Sequence, residues 1–231
     1  RSGRVTGVQT CALPISWGCL SLIYRFYPSP SQASRTALSS GYLSVIRQIF
    51  MEPLWPYATP GIPDRLFEQL PGIPMSQREV RLVLLSALRL GPKAVLWDIG
   101  AGTGTIAIEA ALLCPQGSIV AVERDGDVAA LIKSNCQRFG VTNVDVVVGN
   151  APDCFDSLSH VPDSILVGGG RDLKPLLTGA WQKLALHGQL VVTARNVQSL
   201  YAISERFAEL QVRNIEVVQT GGSRLETLGS N

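Results

Sequence analysis

Val95-Leu96-Trp97-Asp98-Ile99-Gly100-Ala101-Gly102-Thr103-Gly104 is the stretch that decides how this chain is read. A short apolar run of strand type closes on an acid and then on three alternating glycines. Thr105 to Leu112 follows with helical composition. Strand, tight glycine-rich turn and helix together make the first βα unit of a dinucleotide-type fold. Glycine is required because the backbone must turn sharply and let a ligand come within contact of main-chain atoms. The helix behind the turn offers unpaired N–H groups and the positive end of its dipole.

Asp98 narrows the choice of cofactor. An acid just ahead of the first glycine is a poor neighbour for the pyrophosphate of a nicotinamide cofactor. S-adenosylmethionine carries an ammonium and a sulfonium and no phosphate, so Asp98 suits it better. Glu123 ends the next apolar run, Ser118 to Val122, about 20 residues further on, where an acid accepts from both ribose hydroxyls. Simple turn capping would explain either acid alone. Both, however, sit at the carboxyl ends of adjacent expected strands, the edge at which open α/β sheets bind ligands.

Composition sets the outer bounds. The chain has 231 residues, 46% of them hydrophobic and 16% charged, with a net charge of +2. That balance can bury a good core and gives no reason to expect nucleic acid as a partner, since no Lys/Arg run is present. Five cysteines without CxxC spacing and only two histidines argue against a metal site and for a reducing, cytoplasmic location. The apolar piece Trp17–Phe26 is too short to span a membrane.

Residues 1–50 are expected to be a spurious or disordered leader, because Val5 to Ile15 resembles the in-frame translation of a sequencing-library adapter. Met51 is expected to open the real domain, 51–231. Glu52 to Pro74 is rich in proline and aromatics and cannot be regular helix; such a segment wraps a surface or lines a cleft. Ser76-Gln77-Arg78-Glu79 reads as a capping box, with apolar Val80, Val83, Leu84, Ala87 and Leu88 behind it and Gly91-Pro92 as terminator. Ser76 could also donate to the carboxylate of a bound methionine moiety. Further helices are expected at 127–139, 173–186 and 199–210, and strands at 144–148, 164–167, 189–193 and 212–220. The architecture is therefore α/β, a doubly wound, mostly parallel sheet. The last, antiparallel strand of such a sheet is expected to be missing, because Gly221 to Asn231 shows no alternation of apolar residues.

Several stretches together carry a resemblance. Asp98 to Gly104 with Glu123 resembles Rossmann-like class I S-adenosylmethionine methyltransferases at large. Pro60-Gly61-Ile62-Pro63-Asp64, Pro74-Met75-Ser76-Gln77-Arg78-Glu79-Val80-Arg81, Asn150-Ala151-Pro152-Asp153 and the triplet Gly168–Gly170 are more selective. They resemble the decarboxylating C15-methyltransferases that act on cobalt-precorrin-6B or precorrin-6Y in cobalamin biosynthesis. The resemblance covers Leu54 to about Thr220. It implies cofactor contacts at Ser76, Gly100, Ala101, Gly102, Thr103, Gly104, Glu123 and Ala151. Asn150, beside Ala151, could pair with the adenine edge, although relatives often carry an acid there; cyanobacterial-type relatives also carry one where Gly168 stands, so no acid role is expected at that position.

The implied reaction needs no strong base. Methyl transfer is a displacement at a sulfonium carbon, and alignment of reactants supplies much of the rate; no catalytic residue is assigned. A polycarboxylate substrate would suit an anion cradle of Gly168, Gly169, Gly170, Arg171 and Lys174, which could equally be a glycine-rich turn with two solvated cations. The implied partners are a tetrapyrrole and, in a full-length protein, further copies of the same chain. A methyltransferase for RNA or protein, or an inactive S-adenosylmethionine-binding module, remains open at this point.

Overall fold

The computed structural model describes residues 53–169 and 172–221, so the reading of residues 1–50 lies outside the described residues. Five apolar runs form strands: β1 (Val95–Ile99), β2 (Ser118–Glu123), β3 (Val144–Val148), β4 (Ser164–Val167) and β5 (Gln189–Val192). They build one sheet in the order β3-β2-β1-β4-β5, with every neighbouring pair parallel. Helices α1 (Arg78–Leu88), α2 (Thr105–Leu113), α3 (Gly126–Phe139), α4 (Leu173–Lys183) and α5 (Val197–Glu209) alternate with them. None of the described helices is long and apolar enough to cross a membrane.

The two-residue period of a strand sorts its side chains onto two faces. Leu96, Ile119, Ala121 and Leu166 pack with α1, α2 and α3 on one side. Trp97, Ile99, Val120, Val122, Ile165 and Val167 pack with α4 and α5 on the other. Helices cover both faces, which is why these strands read as continuous apolar runs. The chain steps outward from β1 to β2 and β3, then crosses back to β4. The topological switch point therefore falls between β1 and β4, where such sheets open a crevice.

Three expectations need correction. Helix α1 is capped by Gln77, without a side-chain cap bond, so Ser76 and Glu79 do not form a capping box. The helix ends at Arg89, in the left-handed region at φ 51°, two residues ahead of Gly91. The run Val212 to Thr220 contains no strand. A strand exists only as a member of a hydrogen-bonded ladder, and among the described residues no strand pairs with β5 on its outer edge. Ile215, Val217 and Val218 are accordingly exposed.

The segment before α1 holds one short 3-10 turn, Asp64–Leu66, yet it buries Ile62 and Phe67 completely or nearly so. Side chains, not a ladder, fix its path. Arg81, fully buried on α1, donates from Nε to Glu109 on α2 at 2.7 Å and from Nη1 to Asp64 at 2.7 Å. It also donates to the carbonyls of Ser76, at 2.6 Å, and Ile62. Glu109 turns its second oxygen to the Gly61 amide. Asn135 on α3 takes the Glu68 amide at 2.8 Å and donates to the carbonyls of Glu68 and Thr103 at 3.1 and 3.2 Å. One buried amide thus joins this strap to the glycine turn.

Gly104 closes that turn at φ 77°, and a Cβ placed there would lie 2.7 Å from Cγ2 of Ile132 on α3. Gly104→Ala meets both a left-handed backbone and a clash, and should lower stability by about 2–4 kcal/mol in urea denaturation. Adding Ile132→Ala should relieve the clash alone, so a double-mutant cycle should return a coupling of about 1 kcal/mol or more.

Candidate functional site

The carboxyl ends of β1, β2 and β4 meet at the glycine turn. The amides of Gly100 and Ala101 both donate to the Val122 carbonyl, at 2.9 and 3.1 Å, which pins the turn to β2. Gly100 and Gly102 also hold positive φ, 76° and 56°. At the end of β4 the Gly168 amide donates to the Ile99 carbonyl at 2.9 Å. A Cβ on Gly168 would stand 3.1 Å from the Gly100 carbonyl oxygen. The turns after β1 and β4 therefore touch backbone to backbone across the switch point.

Glu123 is braced by the protein itself. Its Oε2 accepts from the Gly102 amide at 3.1 Å, and Oε1 accepts from Arg124 and Asp125 at 2.9 and 3.3 Å. A carboxylate offers about four lone-pair directions, so three amide bonds leave it one to spare. The residue is at once a brace for the loop and a fixed acceptor beside it. The Gly149 amide donates to the Glu123 carbonyl at 2.9 Å, which carries the β3 loop alongside. There Asn150 is exposed and donates to Asp153 at 3.1 Å, while Ala151 packs against the second core.

Asp98 is the charged group with the least support. It is 1% exposed, and its Oδ2 has no hydrogen-bond partner. Burial raises its carboxyl from the ordinary 3.8 to about 7; the Ala107 amide opposes that shift and the charge of Glu123 adds to it. Ala107 lies in the first turn of α2, where amides have no partner inside the helix. A buried, unpaired carboxylate oxygen is costly unless something cationic or protic meets it. The unpaired Asp98 oxygen beside the glycine turn suits a cationic or protic group of a ligand lying along the backbone.

Other expected residues are placed less simply. Ser76 is half-buried and its carbonyl belongs to Arg81; the neighbouring Pro74 carbonyl sits 3.6 Å from where a Cβ on Gly102 would be. Thr103 is buried, and Asn135 holds its carbonyl. Lys174 is exposed and paired with Glu205 on α5 at 2.7 Å, so an anion must compete with that carboxylate. Gly170 and Arg171 lie outside the described residues. A cavity of about 720 Å³ opens between Lys93, Gln116, Asp163 and His187, near the amino ends of β1 and β4; shape alone would have pointed away from the glycine turn. Cys114 and Cys136 are free, buried thiols, each pushed by burial up to about 11, and take no part.

Arg81, Glu109 and Asn135 are the residues that motif reading overlooked. A signal was present. Glu109 is the one charged residue in Thr105-Ile106-Ala107-Ile108-Glu109-Ala110-Ala111-Leu112-Leu113, and Arg81 stands among Val80, Val83 and Leu84. A lone acid and a lone base on two apolar helix faces are each other's natural partners.

Comparison with known proteins adds the family and the fold. Residues 69–230 match the model of the precorrin methyltransferase domain. A protein of Pyrobaculum calidifontis, named a probable cobalt-precorrin-6B C(15)-methyltransferase (decarboxylating), is 41% identical over 167 residues, covering 71% of this chain and 85% of the relative. The crystal structure of precorrin-6y C5,15-methyltransferase from Geobacter metallireducens superposes with a TM-score of 0.62 at 34% identity, over 65% of this chain and 80% of that one. A SAM-dependent O-methyltransferase from Thermotoga maritima shares the fold, with a TM-score of 0.58 at 17% identity over 63% and 55% of the two chains.

The Asp98 shift has a definite sign. A carboxyl raised from 3.8 to about 7 contributes stability that is fully present below pH 4 and is lost as pH rises toward 7. Asp98→Asn removes that loss. The variant's stability relative to the parent should be flat below about pH 4, grow up to about pH 7 and then level off, at roughly 2–4 kcal/mol. Urea titrations of both proteins across that range check the curve.

Proposed function

This chain belongs to the precorrin methyltransferase domain family, and we propose that it methylates C15 of a precorrin or cobalt-precorrin from S-adenosylmethionine and removes the carboxyl of an acetate side chain. The observation that carries the cofactor half of this reading is the unpaired, buried Oδ2 of Asp98 beside the glycine turn. The substrate half rests on the activities named for relatives 41% and 34% identical to this chain.

S-adenosylmethionine supplies a methyl group already attached to its leaving group, so the protein's work is alignment and exclusion of water. Asp98 offers negative charge to the cationic end of the cofactor. Gly100, Ala101, Gly102, Thr103 and Gly104 let the backbone approach it, with the amino end of α2 behind them. Glu123, held by three amides, keeps an oxygen in fixed orientation for the ribose. Asn150 and the Ala151 backbone border the adenine, and Ser76 closes the methionine end. The glycine-rich turn after β4, which touches Gly100 across the switch point, would take the macrocycle, with Arg171 and Lys174 as the cations of that cradle. An electron-rich ring carbon needs no strong base to attack, and the conjugated ring can serve as the sink for the electrons released by loss of the carboxyl. The reaction takes place in the cytoplasm.

Incubation of the purified chain with S-adenosylmethionine and cobalt-precorrin-6B, read by mass spectrometry, should show one methyl gained and one carbon dioxide lost per macrocycle. An unchanged macrocycle, with label transferred to RNA or protein instead, would overturn the reading.

Cofactor affinity should follow the ionisation of Asp98. Because a cation favours the charged carboxylate, calorimetric affinity for S-adenosylmethionine should strengthen from pH 6 to pH 8, with a proton released on binding near pH 6. Asp98→Asn should abolish both effects. Glu123→Ala should weaken binding about 10-fold to 100-fold, the loss of charge-assisted hydrogen bonds together with the loop's brace.

A further inference from the structure

Arg81 touches neither the glycine turn nor any residue assigned to the substrate, and yet four of its five N–H donors are committed, all within the strap and α2. Its bonds fall at two places along the strap. Ile62 and Asp64 lie near the strap's start, together with Gly61, which Glu109 holds. Ser76 lies at its end. Between them, Asn135 clamps Glu68 and Arg138 donates to the Leu66 carbonyl at 2.8 Å. From Gln69 to Met75 the main chain has one internal bond, from the Ile73 amide to the Leu70 carbonyl at 3.1 Å. That stretch carries Pro71 and Pro74, and prolines remove donors that could have tied it down. It is also the stretch whose Pro74 carbonyl lies against Gly102.

We infer that residues 70–77 form a wall of the cofactor cleft, and that Arg81 is the positioning residue that sets this wall against the glycine turn through the Ser76 carbonyl. The inference rests on the reading that S-adenosylmethionine binds along Gly100–Gly104. Its physical content is a lever. Glu109 belongs to the helix that opens at the glycine turn, so the guanidinium ties the wall to the same rigid body that presents Gly102. A planar fork can hold Glu109, Ile62, Asp64 and Ser76 at once, whereas an ammonium has no such geometry. Releasing the Ser76 carbonyl would loosen residues 69–76 while leaving the sheet unchanged.

Two measurements on the full chain test this. In the first, hydrogen–deuterium exchange is followed with and without S-adenosylmethionine. Ligand should slow exchange at Gly100–Gly104 and, by at least about threefold, at the amides of Ile73, Met75, Ser76 and Gln77. Protection at 100–104 without protection at 73–77 overturns the inference and leaves the proposed function standing. No protection at either place removes the cofactor reading itself. In the second, Arg81→Lys is compared with Leu177→Ala, a core truncation on the opposite face of the sheet that serves as a stability control. Arg81→Lys should raise Kd and KM for S-adenosylmethionine about 10-fold with kcat within about twofold, while Leu177→Ala lowers Tm and leaves Kd unchanged. Equal Kd in Arg81→Lys and the parent, or an equal rise in both variants, overturns the inference. The exchange experiment decides the matter should Arg81→Lys not fold.

Discussion

A guanidinium at the centre of a protein needs partners on every side. Taking Arg81 out of water is costly, and Glu109 and Asp64 must come with it, with two main-chain carbonyls filling the remaining directions. The strap, the first helix and the glycine helix are arranged to meet that demand. The Phe67 ring completes the enclosure, its centroid 5.2 Å from the guanidinium carbon. Apolar side chains of the same volume could fill the space. They would not specify which backbone atoms of an irregular, proline-rich segment come to rest there. The ion network fixes which atoms of the strap meet α1 and α2.

The cleft at the other end of α2 follows an opposite logic. There the protein leaves a carboxylate oxygen without a partner and brings backbone turns so close that side chains are excluded. Gly100 and Gly168 meet through main-chain atoms, which places peptide dipoles where a side chain would otherwise decide the chemistry. Asp98 and Glu123 stand on adjacent parallel strands, and the charge of Glu123 disfavours that of Asp98. A cation placed between the turn and these acids relieves burial and repulsion together.

The strands and the glycine turn were plain in the sequence because each is a local pattern with a local cause. Short apolar runs flanked by turn residues suit strands of a covered sheet, and the five paired strands fall within a residue of where the pattern put them. Asp98 and Glu123 could be placed because strand ends are predictable. What stayed hidden was long-range. Ser76-Gln77-Arg78-Glu79 satisfies the rule for a capping box, but Arg81 claims the Ser76 carbonyl and the helix begins later. Val212 to Thr220 has strand composition, but composition cannot supply a neighbour. Glu123 looked like a ligand group and is equally the loop's brace, a role visible only once Gly102 is folded against it.

The strap also has a history in time. Its tethers join residues far apart along the chain: Gly61 to Glu109 and Glu68 to Asn135, separated by 48 and 67 positions. During synthesis at about 5–20 residues per second, the strap leaves the ribosome several seconds before Asn135 exists to receive it. For that interval its Ile62 and Phe67 lack the core they will be buried in, and Arg81 has only the nearby Asp64 as a charged partner. The prolines that deny this segment regular structure also keep it from pairing with a neighbouring nascent chain as a β-strand. The same residues that make the wall of the cleft depend on distant tethers make the waiting segment safe.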